Sequence, residues 1–458
     1  MNTTVNTPRN NGPVLLRVLV FTLIISVMNG TMFNVVLPAI SKELNLSASQ
    51  GSWIVTSYLI VYAIGTVTFG KLTDKYKLKD LLTFGLLLLA AGSVLGMMAT
   101  QFWMIIMARI VQATGASVIP ALSMIIPVRY FLPKERGRAL GTTAIGTSLG
   151  AALGPIIAGF VTSALSWQFL FAIPLLALVT LPFYRKYLDD QAGLDQKIDY
   201  MGGVLLAGSV AFLLLALTNA NVYFLLSGAV ALILFIFRIR HAANPFVNPD
   251  IFRNKLYSLG IFITFIMVAI GFSVPFTMPQ LLAALNDLSP AWIGLVMLPS
   301  ALITAFFGRV GGRLADRKGN AFLLYIAAAL LMVGFLCLSM VSGMSPVYIG
   351  FFLIFGILGQ SFMLISLSNT ISQTLSKEQV GIGMGLLSML NFIAGAVSTA
   401  VIGKVLDHNQ GAPSVYSNIF LVLAVLVAAM TLLYYFQFRR SMQKRAPGHS
   451  FHKEEKEV

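Results

Sequence analysis

Charged residues are scarce in this sequence, and acidic residues are scarcer than basic ones. Of 458 residues, 10% are charged and 57% are hydrophobic, and 16 Asp and Glu stand against 31 Lys and Arg. A chain with so little charge does not present a soluble surface unless lipid covers most of it. The composition therefore excludes a soluble globular protein and predicts an integral membrane protein.

Cysteine and histidine are also rare. The single cysteine, Cys337, excludes an intramolecular disulfide and a redox-active cysteine pair. No histidine and no acidic residue lies well inside an apolar stretch; Asp199 and Asp407 come closest, at the edges of two stretches. The nucleotide-binding pattern GxxxxGK[ST] is also missing from the sequence. We therefore expect neither enzymatic activity nor a metal site nor a cofactor, and no ATPase partner is implied.

Long apolar stretches, in contrast, are abundant. A bilayer core of roughly 30 Å requires about 20 helical residues. Fourteen stretches are long enough: 15–38, 52–72, 81–99, 103–127, 139–163, 166–184, 200–218, 222–239, 258–283, 291–311, 322–341, 346–371, 380–404 and 416–437. The sequence therefore predicts an all-α membrane protein with fourteen transmembrane helices.

The basic residues predict how these helices are oriented. Lys and Arg cluster after the second, fourth, eighth, tenth and last stretches, whereas loops such as 218–222 and 342–345 are almost uncharged. Basic loops face the cytoplasm, so both termini are expected there, in the plasma membrane. Attraction of these loops to anionic lipid also explains the net charge of +15 better than nucleic-acid binding does.

A short segment occurs twice in the chain. GKLTDKYK (70–77) follows the second stretch and GRLADRKG (312–319) follows the tenth, which is the pattern of two parallel repeats. We predict a six-helix bundle in 1–184, an inserted two-helix hairpin with cytoplasmic linkers in 185–255, a second six-helix bundle in 256–438 and a cytoplasmic tail in 439–458.

The repeated segment is also a candidate cytoplasmic gating motif. Its glycines permit a close helix approach, and its aspartates are able to meet helix N-terminal amides or basic side chains as a latch. The alternative is a plain basic loop. The motif residues are Gly70, Asp74, Lys75, Gly312, Asp316, Arg317 and Gly319.

Arg109 is predicted to lie inside the fourth stretch. A cation at that depth is costly and normally faces a polar cavity or a partner, and Gln112 presents an amide one turn further on. The alternative is an arginine that snorkels to the outer headgroups. Other apolar stretches carry amides that hydrogen-bond but do not titrate, some of which serve only to join helices. The candidate substrate cavity comprises Asn29, Asn34, Arg109, Gln112, Phe276, Gln280, Gln360, Asn369 and Asn391.

Four segments carry a family resemblance: NVVLPAI, the repeated pair, ARIVQATGAS and LGAALGPIIAGF. Together they resemble the 14-span drug:proton antiporter branch of the major facilitator superfamily, most of all its Gram-positive tetracycline and multidrug exporters. The resemblance implies two six-helix bundles plus two inserted helices, and a proton-transfer role for Arg109. It also implies an antiporter motif at Gly150, Gly154, Pro155 and Gly159 that shapes the interface between the bundles.

The exporters that the sequence resembles carry acidic residues in their membrane helices at three positions. At the matching positions this sequence has Gly30, Ala151 and Gly395 instead. We expect an efflux transporter for drugs or amphiphilic metabolites that is proton-coupled and switches by rocking its two bundles around a cavity. Its proton would then bind a peripheral group such as Asp407 or Asp74. The alternative is a potential-driven exporter of anionic or zwitterionic metabolites or lipids. A receptor built on a degenerate transporter scaffold is a third possibility.

Overall fold

The computed structural model describes residues 11–73, 75–132, 135–189, 199–376, 379–409 and 411–439. Fourteen helices in these ranges are long and apolar enough to cross a membrane, which confirms the predicted fold class. They are α1 (Gly12–Glu43), α2 (Ala48–Leu72), α3 (Leu78–Met97), α4 (Phe102–Tyr130), α5 (Arg136–Ala164), α6 (Trp167–Tyr187), α7 (Tyr200–Asn219), α8 (Val222–His241), α9 (Lys255–Asn286), α10 (Pro290–Lys318), α11 (Asn320–Val341), α12 (Pro346–Ser372), α13 (Val380–Leu406) and α14 (Pro413–Phe436).

Several helices are longer than the apolar stretches that predict them. Helix α1 has 32 residues. At about 1.5 Å per residue it extends about 48 Å, which exceeds the hydrocarbon thickness. The apolar stretch at 15–38 therefore predicts only part of the helix.

Two local features follow directly from the sequence. Helix α4 turns between Ala116 and Ile119. Pro120 explains the turn, because it has no amide hydrogen to donate to the carbonyl of Ala116. Helix α2 begins with a capping box, in which Ser47 and Gln50 each accept a hydrogen bond from the other's backbone N–H.

The packing of the first six helices recurs among the last six. Helix α1 packs on α5 as α9 packs on α13, and α3 packs on α4 as α11 packs on α12. The two sets meet along two seams, one between α2 and α13 and the other between α5 and α10. In this repeat each helix corresponds to the one eight positions later. Helix α2 thus corresponds to α10 and α5 to α13, so the two seams are equivalent. Helix α7 packs on both α2 and α13.

The seam between α5 and α10 is closed at one end of the bundle. At the end away from the basic loops, a Cβ atom on Gly159 would lie 2.5 Å from the carbonyl oxygen of Pro290. At the end that carries the basic loops, Gly141 of α5 and Gly308 of α10 have no atom within 4 Å of a Cβ position, and Phe306 is 81% exposed. The two helices therefore touch at one end and stand apart at the other.

Candidate functional site

Arg109 lies fully buried where α1, α2 and α4 meet. Its Nε donates a hydrogen bond to the carbonyl of Ile54 at 3.2 Å. Its Nη1 lies 3.3 Å from the carbonyl and from the Oδ1 of Asn29, and 3.3 Å from the Oε1 of Gln112. Its Nη2 has no hydrogen-bond partner among the residues that the structure describes. The snorkelling alternative is therefore wrong, because helices enclose the guanidinium.

Two aromatic rings cover the guanidinium of Arg109. Its Cζ lies 4.3 Å from the ring centroid of Phe33 and 4.0 Å from that of Tyr58. A desolvated cation–π contact contributes about 2 kcal/mol, which offsets part of the cost of burying the charge. The sequence analysis missed both rings. The spacing along each helix is consistent with their position. Phe33 lies one helical turn beyond Asn29 and Tyr58 one turn beyond Ile54, and both Asn29 and Ile54 accept hydrogen bonds from Arg109.

No carboxylate contacts Arg109 within the described ranges. A Cβ atom on Gly30 would lie 3.8 Å from a ring carbon of Tyr58, with no closer atom, so a Cβ atom fits there without displacing its neighbours. Gly395 differs, because a Cβ atom there would lie 2.8 Å from the ring of Phe272. A Cβ atom at position 30 is therefore accommodated against the ring that covers Arg109, whereas at position 395 the ring of Phe272 would have to move. Without an acid at either position, the site keeps a net positive charge.

An aromatic row connects this site with the other half of the chain. Tyr58 stacks on Tyr62 with ring centroids 5.5 Å apart, and Tyr62 meets Phe392 of α13 edge-on at 4.8 Å. The Oδ1 of Asn391, next to Phe392, is buried without a hydrogen-bond partner in the described part of the chain. The aromatic row, consisting of Phe33, Tyr58, Tyr62 and Phe392, thus leads from Arg109 across the seam between α2 and α13.

The predicted cavity residues of the first half form one polar group. Asn29, Arg109 and Gln112 are joined by hydrogen bonds, and the Nε2 of Gln112 donates to the Oγ of Ser93 at 2.9 Å. Asn34 lies farther along α1, is 8% exposed and has an Oδ1 that accepts no hydrogen bond from the described residues. This half therefore holds the only buried cation of the predicted cavity set.

The predicted cavity residues of the second half are more dispersed. Phe276 and Gln280 are buried on α9, Phe276 within an apolar cluster, and Asn369 is half-buried on α12. The Nε2 of Gln360 donates to the carbonyl of Met267 at 3.0 Å. These residues do not join the hydrogen-bonded group around Arg109.

The glycines of α5 lie at two different interfaces. A Cβ atom on Gly150 would lie 2.6 Å from the carbonyl oxygen of Ile24, and Gly154 also packs against α1. Gly159 faces α10, and the carbonyl of Pro155 lies 2.8 Å from a Cβ position on Gly294, also of α10. The segment therefore joins α1 on one side to the second half on the other.

The first copy of the gating motif is described only in part, because Asp74 lies outside the described residues. A Cβ atom on Gly70 would have no atom within 4 Å, and the Nζ of Lys75 lies 5.7 Å from the ring centroid of Tyr76. In this conformation Gly70 does not make a close helix contact.

The second copy of the motif is open as well. Gly312 has no atom within 4 Å of a Cβ position, and Asp316 and Arg317 are exposed. Asp316 makes no ion pair with the described part of the chain. Gly319 ends α10 with a positive φ of 88°, as a tight turn requires. The contacts of a closed latch are not formed here, because this end of α10 stands apart from α5.

Two bacterial relatives match most of the chain. The riboflavin transporter RibZ of Clostridioides difficile is 28% identical over 392 residues, which cover 82% of this chain and 84% of the relative. The lincomycin resistance protein LmrB of Bacillus subtilis is 28% identical over 403 residues, which cover 84% of each chain.

Solved structures share the fold at low sequence identity. A POT family transporter superposes with a TM-score of 0.70 at 14% identity, covering 94% of this chain and 96% of its own. The nucleoside transporter NupG superposes with a TM-score of 0.69 at 12% identity, covering 92% of this chain and 99% of its own. The family model of the Major Facilitator Superfamily matches residues 19–399, so the chain belongs to that family and is a multi-pass membrane transporter.

Proposed function

We propose that this transporter exports amphiphilic small molecules that carry an aromatic ring. The observation that carries this proposal is the aromatic row, which begins at a buried, uncompensated cation and crosses to the other half of the chain. Phe33, Tyr58 and Tyr62 are buried in this conformation, so the row would meet a substrate only after the helices around it separate. Its rings would then stack on planar groups, which suits drugs and amphiphilic metabolites.

Export, the proposed direction of transport, is supported by the charge pattern and the open end. The basic loops are expected in the cytoplasm of a bacterial cell, so the end where α5 and α10 stand apart would admit substrate from inside. The similarity to a lincomycin resistance protein supports export of this kind.

Proton coupling would use a group outside the apolar core, since no acid of the described residues touches Arg109. Asp407 at the end of α13 is such a group. It is exposed, and its Oδ1 accepts a hydrogen bond from the backbone N–H of Ser49 at 2.9 Å, in the other half of the chain. Proton uptake by Asp407 would weaken this contact and favour opening at that end. Asp74, the other candidate, lies outside the described residues.

The uncompensated charge of Arg109 favours a second function. A site with a buried cation and no contacting carboxylate prefers anionic or zwitterionic substrates. An inside-negative potential of about 100 mV would help to expel each negative charge by roughly 2.3 kcal/mol, without any proton. Export of an anion would then follow the membrane potential alone.

Transport in proteoliposomes tests both forms of the proposal. The pH gradient and the membrane potential are imposed separately, and export of tetracycline, lincomycin and riboflavin is measured for the natural chain and for Arg109→Gln. We expect export of at least one probe and loss of that export in Arg109→Gln. A pH-driven signal supports proton antiport, and a potential-driven signal supports anion export.

Glu43→Gln is the matched control for this experiment. Glu43 is a charged residue outside the proposed site, exposed at the end of α1, and its Oε2 accepts a hydrogen bond from the Nε1 of Trp167 within the first half, at 2.8 Å. Export by Glu43→Gln should equal that of the natural chain. Full export by Arg109→Gln would contradict the proposed site.

A further inference from the structure

An apolar groove lies between α10 and α12, at the end of the bundle away from the basic loops. Its volume is about 520 Å³, within the range of about 300 to 1,000 Å³ that is typical of ligand pockets. The lining residues are all hydrophobic, prolines or glycine, and the indole of Trp292 is the only side-chain hydrogen-bond donor among them. The groove is separate from the site at Arg109, because it shares no residue with the helices α1, α2 and α4.

A buried glycine forms the floor of the groove. A Cβ atom on Gly350 of α12 would lie 3.1 Å from the carbonyl oxygen and 3.2 Å from the Cγ1 of Val296, so the two helices approach each other closely there. Trp292 on α10 and Phe351 on α12 also line the groove and are 61% and 54% exposed. A ring on each helix therefore reaches the surface, while the residue between them has no side chain.

The groove has the length of one leaflet of a bilayer. Its lining runs from Leu288, just before α10, to Pro299, and from Pro346 to Ile354 on α12. At about 1.5 Å per residue these segments extend about 16 Å and about 12 Å. Half of a hydrocarbon core of roughly 30 Å is about 15 Å. Both helices begin at this end and cross the membrane, so the groove leads from the headgroups towards the middle of the bilayer.

The surroundings of the groove indicate what fills it. It is continuous with the lipid-covered surface, since Leu302, the next turn of α10, and Tyr348, beside the lining residue Val347, are 55% and 57% exposed. Water does not suit it, because an ordered water needs two to four polar partners. A helix of a second copy would cross the whole membrane, whereas the groove ends halfway. A flexible apolar chain the length of one leaflet matches the groove in both shape and chemistry.

The same part of α10 also contacts the first half of the chain. A Cβ atom on Gly294 would lie 2.8 Å from the carbonyl oxygen of Pro155 on α5, and Gly159 of α5 meets the backbone of Pro290. Trp292, between these two residues of α10, lines the groove instead. This part of α10 therefore packs on α5 with one face and forms the wall of the groove with another.

We propose that the groove between α10 and α12 binds one acyl chain of a phospholipid from the leaflet opposite to the basic loops. The chain lies over Gly350, between Trp292 and Phe351, and is held by packing, because an unfilled groove would forfeit dispersion contacts along its walls. Walls on both sides make this chain exchange more slowly than the lipid on the open surface. The binding needs no transported substrate, so it stands apart from the proposed function.

Native mass spectrometry of the full chain tests whether one phospholipid is retained. The chain is purified from phospholipid bilayers, and the detergent concentration is raised until the surface lipid is removed. We expect one phospholipid per chain to remain. Ile354→Trp fills the inner end of the groove and should lower this occupancy at least fivefold. Ile233→Trp is the matched control, because Ile233 is 65% exposed on α8, outside the groove, and it should keep the lipid.

Three outcomes would overturn the proposal. They are a natural chain that retains no phospholipid, a natural chain that retains a second copy of itself instead, and equal retention by the two tryptophan variants. Phosphatidylethanolamine and phosphatidylglycerol with the same acyl chains should be retained equally, because no charged side chain lines the groove. Retention of only one of them would contradict recognition by the acyl chain.

Fluorescence quenching locates the retained lipid without altering the groove wall at Ile354. The chain is reconstituted in phospholipid with brominated acyl chains, which quench nearby tryptophans. The signal of Trp292 is the difference between the natural chain and Trp292→Phe. Trp103 is the matched reference, because it is 71% exposed in the first turn of α4, at the same end of the bundle, and Trp103→Phe gives its signal.

Both tryptophans should be quenched in the bilayer. After detergent removes the surface lipid, Trp292 should keep at least half of its quenching, whereas Trp103 should lose nearly all of it. Recovery of the two tryptophans to the same extent would show that the retained lipid, if any, lies outside the groove, and would overturn the proposal. Neither measurement requires transport, so the result is distinct from a failure to find a substrate.

Discussion

The guanidinium of Arg109 lies 4.0 Å from the ring centroid of Tyr58, and this pair joins the buried charge to the aromatic row. A cation that has no contacting acid among the described residues is held instead by carbonyls, amides and rings. Rings and carbonyls stabilise the charge without neutralising it. The site therefore remains attractive to an anionic group, and its properties depend on Tyr58.

Replacing Tyr58 separates the role of the ring from that of the hydroxyl. Tyr58→Leu should lower the free energy of unfolding by about 2 kcal/mol, because the desolvated cation–π contact is lost. Tyr58→Phe keeps the ring and should stay within about 0.5 kcal/mol of the natural chain. Unfolding in detergent, followed by near-ultraviolet circular dichroism, measures both, and equal losses in the two variants would show that the ring itself contributes nothing.

A carboxylate at position 30 should neutralise Arg109. Gly30→Asp places an acid where the structure leaves room beside Tyr58, whereas Gly30→Asn adds a side chain of the same size without charge. We expect Gly30→Asp to be more stable than Gly30→Asn by about 1 to 3 kcal/mol in the natural background. The difference should disappear when Arg109→Gln is added to both.

The same pair of variants should change substrate preference. Binding of 2-naphthoate should weaken at least tenfold in Gly30→Asp and persist in Gly30→Asn, because only the former removes the net positive charge. Binding of neutral 2-naphthamide serves as the control and should be similar in both. Equal binding of 2-naphthoate by both variants would contradict the anion-binding role of Arg109.

Asp199 should make stability depend on pH in the acidic range. Burial favours its neutral form, but hydrogen bonds from Gly202, Arg238 and Phe246 outweigh this effect and lower the pKa of Asp199. A group with a lowered folded pKa stabilises the protein above its unfolded pKa of about 3.9 and loses this contribution as the pH falls through the folded pKa. The stability difference between the natural chain and Asp199→Asn should therefore be constant above about pH 5 and shrink below about pH 4. A difference that stays constant down to pH 3 would contradict the assignment.

Hydropathy and charge were sufficient to predict the fourteen helices and the membrane class. Hydropathy indicates which segments are apolar enough to lie in lipid, and the scarcity of charge in them reflects the high cost of burying a charge. Each can be judged from a short segment of the sequence alone. The same cost identified Arg109, and the i, i+3 spacing identified Gln112 as its neighbour. What hydropathy does not give is the partner of a residue from another helix, so Phe33 and Tyr58 were missed among many membrane aromatics.

The contacts that α7 and its neighbours make with distant parts of the chain were not accessible from the sequence for the same reason. The contact between Asp199 and Phe246 joins residues 47 positions apart, and Thr218 is 186 positions from Lys404. No periodicity encodes such pairings. The latch expected at Asp316 illustrates another limit, because a sequence motif does not indicate in which conformation its residues make contact.

Replacing two glycines of α5 by alanine, one at a time, should change the free energy of unfolding in opposite directions. Gly150→Ala adds a methyl group where a Cβ atom would lie 2.6 Å from the carbonyl oxygen of Ile24, so α1 and α5 must move apart. We expect a loss of about 1 to 3 kcal/mol in the free energy of unfolding. Gly141→Ala adds the same group on a different face of α5, where no atom lies within 4 Å of the Cβ position. Because alanine also restricts the unfolded chain, this variant should gain about 0.5 to 1 kcal/mol. Thermal unfolding of the two variants beside the natural chain checks both signs. A loss of similar size in both would mean that the approach of α1 does not determine which residue α5 tolerates.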